Sequence, residues 1–206
     1  MTTPVLPLAD KQSILLAARV IADGGIVVAP TETRYGLLAR GDNEAAVQKL
    51  FDLKGRQFSS PTALFVSAKS EIGRLGLVTP IAHDLINQFL PGPLTLVLSS
   101  HVDWSAPRVV DGKIGMRLSS SSLIQQIVEA VEAPLTATSA NLSSHPDRET
   151  IADIQSDFGE RVDLYVDGGR LAGPVSTVVE CIESSYRILR VGAIPVEEIE
   201  RIAGRV

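Results

Sequence analysis

The chain has 206 residues, with 19 Lys+Arg against 24 Asp+Glu, a formal net charge of -5, 45% hydrophobic residues and 21% charged ones. That length suits one domain with a substantial core, and that balance of apolar and charged residues excludes a disordered tail. The acidic sum argues against tight non-specific nucleic-acid binding, which depends on Lys and Arg displacing phosphate counterions, but it leaves room for a small anion held by a few local cations.

The only cysteine is Cys181, which excludes an internal disulfide and a cysteine zinc site and fits a reducing cytoplasm. No apolar run reaches the roughly 18–20 residues that span a bilayer, and the Met-Thr-Thr-Pro start lacks the basic residues of a signal peptide. A cytoplasmic, membrane-free protein is expected.

In chain order, residues 9–22 set Ile14, Leu15, Ala18, Val20 and Ile21 largely on one helical face, stopped by Gly24-Gly25. A short apolar strand, 26–29, ends at Pro30, beyond which the sequence reads as a polar turn. Asn43 is an N-cap for a helix through Leu53, with Lys54-Gly55 as its stop. Strands at 63–66, 94–98, 114–118 and 135–138 then alternate with helices at 81–89, 121–131 and 151–158. Three short β-like runs, 163–166, 177–182 and 187–189, precede a terminal helix around 195–202. This alternation predicts an α/β layered domain with a mixed sheet covered by helices, and no repeat or linker divides it.

Ligands of α/β sheets sit where strands give way to loops, so the polar residues after each apolar run are the candidates. Thr31-Glu32-Thr33-Arg34-Tyr35-Gly36 offers hydroxyls, a carboxylate and a guanidinium, or else a turn whose Thr hydroxyls bond local backbone. Lys54-Gly55-Arg56 offers two cations able to hold a polyphosphate, or else a lysine that complements its helix dipole. Thr136-Ala137-Thr138-Ser139-Ala140-Asn141-Leu142-Ser143 is a phosphate-approaching loop or an Asx/Ser turn. Arg117, Ser176 and Arg190 stand at other strand ends. His83, His101 and His145 lack metal-ligand spacing, and P-loop, G-x-S-x-G, G-x-G-x-x-G and H-E-x-x-H motifs do not occur. Histidine-based hydrolysis is therefore disfavoured.

Together these segments resemble the YrdC-like threonylcarbamoyl-AMP synthase family over about residues 10–195 of a single domain, 1–206. The matching residues are Pro30-Thr31-Glu32-Thr33, Tyr35-Gly36-Leu37, Lys54-Gly55-Arg56, Pro61, Pro91-Gly92-Pro93-Leu94-Thr95, Arg117, Thr138-Ser139-Ala140-Asn141-Leu142-Ser143, Asp167-Gly168-Gly169, Ser176-Thr177-Val178-Val179 and Ile188-Leu189-Arg190 with Gly192, in the family's order.

The resemblance implies a twisted, mixed sheet surrounded by helices, with one concave basic face on which Lys54, Arg56, Arg117 and Arg190 converge. It implies that L-threonine, bicarbonate and ATP, with Mg²⁺, give threonylcarbamoyl-AMP and pyrophosphate. A separate transferase would then carry the group to tRNA. By position, Lys54 and Arg56 would hold ATP phosphates and act in catalysis, Ser139, Asn141 and Arg190 would complete the nucleotide site, and Thr31, Thr33, Tyr35, Arg117 and Ser176 would form the threonine pocket. The chain departs from the family's pattern at Arg34, Leu38, Gln57, Ser60, Asp147 and the run Leu118-Ser119-Ser120-Ser121-Ser122. Asp147 matters most, since a carboxylate beside phosphates repels them. These departures motivate the alternative of a paralogue that binds double-stranded RNA or tRNA without synthesis; a carbamoyl-phosphate-using domain ranks below it.

Overall fold

The computed structural model describes residues 3–204. Val5–Pro7 forms β1 and Gln12–Ala22 forms α1, followed by a hairpin of β2 (Val27–Pro30) and β3 (Tyr35–Leu38). Next come α2 (Glu44–Lys54), β4 (Ala63–Phe65), α3 (Lys69–Leu75), α4 (Pro80–Phe89), β5 (Leu94–Ser99), β6 (Val109–Val110) and β7 (Lys113–Arg117). The remainder is α5 (Ser122–Val131), β8 (Leu135–Ser139), α6 (Ile151–Phe158), β9 (Leu164–Asp167), β10 (Thr177–Ile182), β11 (Ser185–Arg190) and α7 (Val196–Ala203).

The helices form where caps and spacing direct them. Asn43 accepts from the Ala46 amide at 3.2 Å to start α2, and Gly55, left-handed at φ 60, ends it. Four elements escape the sequence pattern: β1 and β6 are too short to show a period, and α3 buries only Ile72 and Leu75. β3 is hidden because Tyr35 and Gly36 belong both to the polar motif and to a buried strand. The turn before it closes through Thr31, whose amide donates to the Arg34 carbonyl at 3.1 Å.

The strands form one sheet in the order β1-β9-β2-β3-β8-β4-β7-β5-β10-β11, with β6 attached to β7. Pairing is mixed: β1–β9, β2–β9, β4–β7 and β5–β10 are parallel, and the others are antiparallel.

The two-residue period of each strand divides its side chains between faces. In the first half of the sheet both faces are apolar. Val27, Ala29, Leu38, Leu164 and Val166 pack with α1 and α5, while Val28, Leu37 and Tyr165 pack on the other side with α2 and α6. In the second half only one face is covered. Leu64, Leu94, Leu96, Leu98, Ile114, Met116, Val179 and Cys181 pack with α3, α4 and α7. Their alternates, among them Thr95, Lys113, Arg117, Val178 and Glu180, line a cavity of about 550 Å³ instead. The site occupies the sheet face opposite α3, α4 and α7.

Candidate functional site

Thr31, Thr33, Tyr35, Arg56, Arg117, Ser139, Ser176 and Arg190 all line this cavity, so strand ends far apart in sequence meet there. Lys54 and Asn141 are not among its lining residues; they lie beneath it, 4% and 8% exposed. The lining carries Arg34, Arg56, Arg108, Lys113, Arg117 and Arg190 against Asp111, Asp147 and Glu180. A cationic concavity thus coexists with a negative chain.

One cluster is built around Arg117. Its Nη2 donates to Thr33 Oγ1 at 3.0 Å and lies 3.0 Å from Glu32 Oε1, and its guanidinium packs over Phe65. Burial lowers the Arg117 pKa against the opposing pull of Glu32. Burial pushes the Glu32 carboxyl up, but the Arg117 charge, the Ser119 hydroxyl and nearby amides hold it below its ordinary value. Ser119 thus works as a donor to Glu32. Glu32 therefore fixes the guanidinium, a role that its sequence context, a polar turn, does not reveal.

Next to this pair, Ser176 Oγ lies 3.0 Å from Thr95 Oγ1 and accepts from Arg190 Nη2 at 2.9 Å. Gly192 permits this packing, because a Cβ there would lie 2.2 Å from the Val175 carbonyl oxygen. Thr31 Oγ1 accepts from the Thr33 and Arg34 amides, at 3.0 and 3.2 Å, so Thr31 is a turn former as well as a wall of the cavity. The Tyr35 hydroxyl donates to the Gly169 carbonyl at 2.6 Å and accepts from the Gly168 amide at 2.9 Å; burial pushes its pKa up to about 12. Its hydroxyl holds the Asp167–Gly169 turn in place.

A second cluster joins α2 to the loop after β8. Arg56 lies over the Phe51 ring, donates to the Pro61 carbonyl at 2.7 Å and reaches Thr138 Oγ1 at 3.5 Å. Lys54 Nζ donates to the carbonyls of Ser139 and Asn141, and its own carbonyl accepts from the Ser143 amide at 2.9 Å. Lys54 thus shapes the loop from both ends. Burial, reinforced by the Arg56 charge and opposed by Asp147, lowers its pKa to about 7. Asn141 is fully engaged, accepting from Ser139 Oγ at 2.5 Å and donating to the His145 carbonyl at 2.6 Å.

Arg34 and Asp147, far apart in sequence, meet each other. Arg34 Nε lies 3.7 Å from Asp147 Oδ2, and Arg34 Nη1 lies 3.7 Å from Glu149 and donates to the Leu171 carbonyl at 3.1 Å. Among the described residues, the buried Nε atoms of Arg34 and Arg117 have no hydrogen-bond acceptor. A buried donor left unpaired costs about 1–3 kcal/mol, so both atoms favour a ligand oxygen. Sequence reasoning also passed over Arg108, 5% exposed, which stacks on Trp104 and donates to the Gly41 carbonyl at 3.3 Å; nothing in its surrounding motif marks it.

Comparison with known proteins places this geometry. The Sua5/YciO/YrdC family model, described as "Telomere recombination", matches residues 19–192. A threonylcarbamoyl-AMP synthase of Pyrococcus abyssi is 34% identical over 203 residues, covering 96% of this chain and 59% of its own length. The chain thus spans about three fifths of that relative. A relative from Methanocaldococcus jannaschii is 32% identical, with 93% of this chain and 91% of the relative covered. The crystal structure of P. abyssi Sua5 complexed with L-threonine superposes with a TM-score of 0.90 at 32% identity, covering 99% of this chain and 62% of that one.

Proposed function

The chain belongs to the Sua5/YciO/YrdC family, and on that premise we propose that it is an L-threonylcarbamoyladenylate synthase. Its substrates are L-threonine, bicarbonate and ATP. The observation that carries this reading is the meeting, in one cavity, of a hydroxyl-lined cationic cluster around Arg117 and Ser176 with a second cluster around Arg56 and Ser139. A volume of about 550 Å³ is in the range of small-molecule sites.

In this reading Arg117 takes the threonine carboxylate through its planar fork, with Nε donating to a carboxylate oxygen, and Thr33, Thr31 and Ser176 sit against the amino-acid side. The neutral threonine amine attacks the bicarbonate carbon and water leaves, giving a carbamate. A carbamate oxygen then attacks the α-phosphorus in line, the bond to the bridging oxygen breaks, and pyrophosphate departs. No protein nucleophile is needed. Rate comes from alignment and from cations facing the transferring group.

Arg56, Ser139 and Arg190 face the phosphates. Lys54 and Asn141 act one layer below, by holding the loop that presents Ser139. ATP would enter as its Mg²⁺ complex, and the ion would offset negative charge on the phosphates as pyrophosphate leaves. The product is handed to a separate transferase that modifies tRNA. Direct RNA binding is not favoured, because the cations gather in the cavity of a chain whose net charge is -5.

The test is pyrophosphate release measured with each substrate omitted in turn. Release that requires threonine, bicarbonate and ATP together is expected, and ATP turnover indifferent to threonine would overturn the proposal.

A further inference from the structure

Asp147 stands inside the cation cluster rather than outside it. Its carboxylate lines the cavity 3.7 Å from Arg34 Nε, too far for a hydrogen bond, and its charge supports the protonated forms of both Lys54 and Arg190. Its backbone is pinned on every side. Arg148 makes a two-point pair with Asp157 at 2.7 and 2.9 Å, Asn141 holds the His145 carbonyl, and the Glu149 carbonyl accepts from the Leu171 amide at 2.9 Å. With its chain neighbours held, side-chain rotation is the direct way for the carboxylate to turn aside.

We propose that Asp147 is a built-in counter-anion, which balances the cavity's cations before substrate arrives and which a polyphosphate must displace, so that it sets nucleotide affinity. The inference rests on the nucleotide site proposed above. Three features fit it. Arg34 and Asp147 face each other, so the carboxylate comes with a cation of its own. Arg34 Nε remains without an acceptor despite that neighbour, which leaves it available to a phosphate oxygen. Glu149, 3.7 Å from Arg34 Nη1, is also held by Arg170 at 2.7 Å and does not line the cavity, so Asp147 is the lining carboxylate beside Arg34.

The decisive comparison is between the natural chain and Asp147→Asn, with Asp147→Ser as a second variant of different shape. Binding of inorganic pyrophosphate, and of ATP with and without Mg²⁺, is measured by titration calorimetry, and melting is followed with and without sulfate. Both variants are expected to bind pyrophosphate and ATP about tenfold more tightly, since a like charge near the phosphates has gone. Both should melt lower without ligand and gain more from sulfate than the natural chain does.

Equal affinity and equal melting would overturn the proposal. So would variants that bind ATP more weakly only when Mg²⁺ is present, which would make Asp147 a metal ligand. If no chain binds ATP, the synthase reading falls. The counter-anion is then judged separately by the sulfate response, and an equal response in all three chains rejects it.

Discussion

The two halves of the sheet are made of the same kinds of strands but are used differently. In β2, β3 and β9 both side-chain rows are apolar, and helices cover both. In β4, β5, β7 and β10 one row is apolar and packs on α3, α4 and α7, while the other carries Thr95, Lys113, Arg117 and Glu180 into the cavity. The difference teaches that the covered row supplies stability in each half, and that the uncovered row supplies cations and hydroxyls to the cavity, which the loops at the strand ends complete.

The largest effect is expected where the open row makes its own buried contact. Arg117→Met leaves the Glu32 carboxylate buried without its partner, which should cost about 3–5 kcal/mol in urea unfolding and abolish threonine-dependent turnover. Adding Glu32→Gln should restore most of the stability and none of the turnover. Recovery of both would blur the division between the two rows.

Leu164→Ala, on the covered half, should cost about 2–5 kcal/mol and leave kcat of the folded protein unchanged. Gly192→Ala acts between these extremes. Its Cβ would force the Val175–Ser176 backbone to shift, so the threonine KM should rise about tenfold, and the ATP KM should rise less, through Arg190, which donates to Ser176. Equal changes in both constants would show that the two clusters are not separable.

The smallest and most specific effect is a pH dependence at Lys54. Its folded pKa of about 7 lies below the roughly 10.4 of a free lysine, so between those values the unfolded chain holds a proton that the folded chain does not. Stability contributed by this group should therefore rise as pH increases through that window. Phosphates favour the charged form, so ATP binding above pH 7 should take up a proton and weaken as pH rises. Calorimetry in buffers of different ionisation enthalpy reads this uptake directly, and Lys54→Met should remove it.

Much of this was legible in the sequence. The period-2 runs at 94–98 and 177–182 and the caps around 43–55 correspond closely to β5, β10 and α2, because each is long or punctuated enough to show. β3 was not legible, since a buried strand starting in Tyr35-Gly36 looks like the end of a polar turn until its hairpin partner is seen. The candidate residues were chosen by position in motifs, but position does not report depth. Lys54 and Asn141 turned out to lie under the cavity, and Glu32, Arg34 and Asp147 acquired meaning only through partners 85 or more residues away or across a turn. Asp147 was expected to oppose phosphates; facing Arg34, it stands where its charge is balanced in the absence of substrate.

The most direct measurement is a crystal structure of the chain soaked with L-threonine and a non-hydrolysable ATP analogue. The account predicts the threonine carboxylate on Arg117 beside Ser176, and the analogue's phosphates against Arg56 and Ser139 on the uncovered sheet face. Ligand density on the helix-covered face, or phosphates bound away from Arg56 and Ser139, would contradict it.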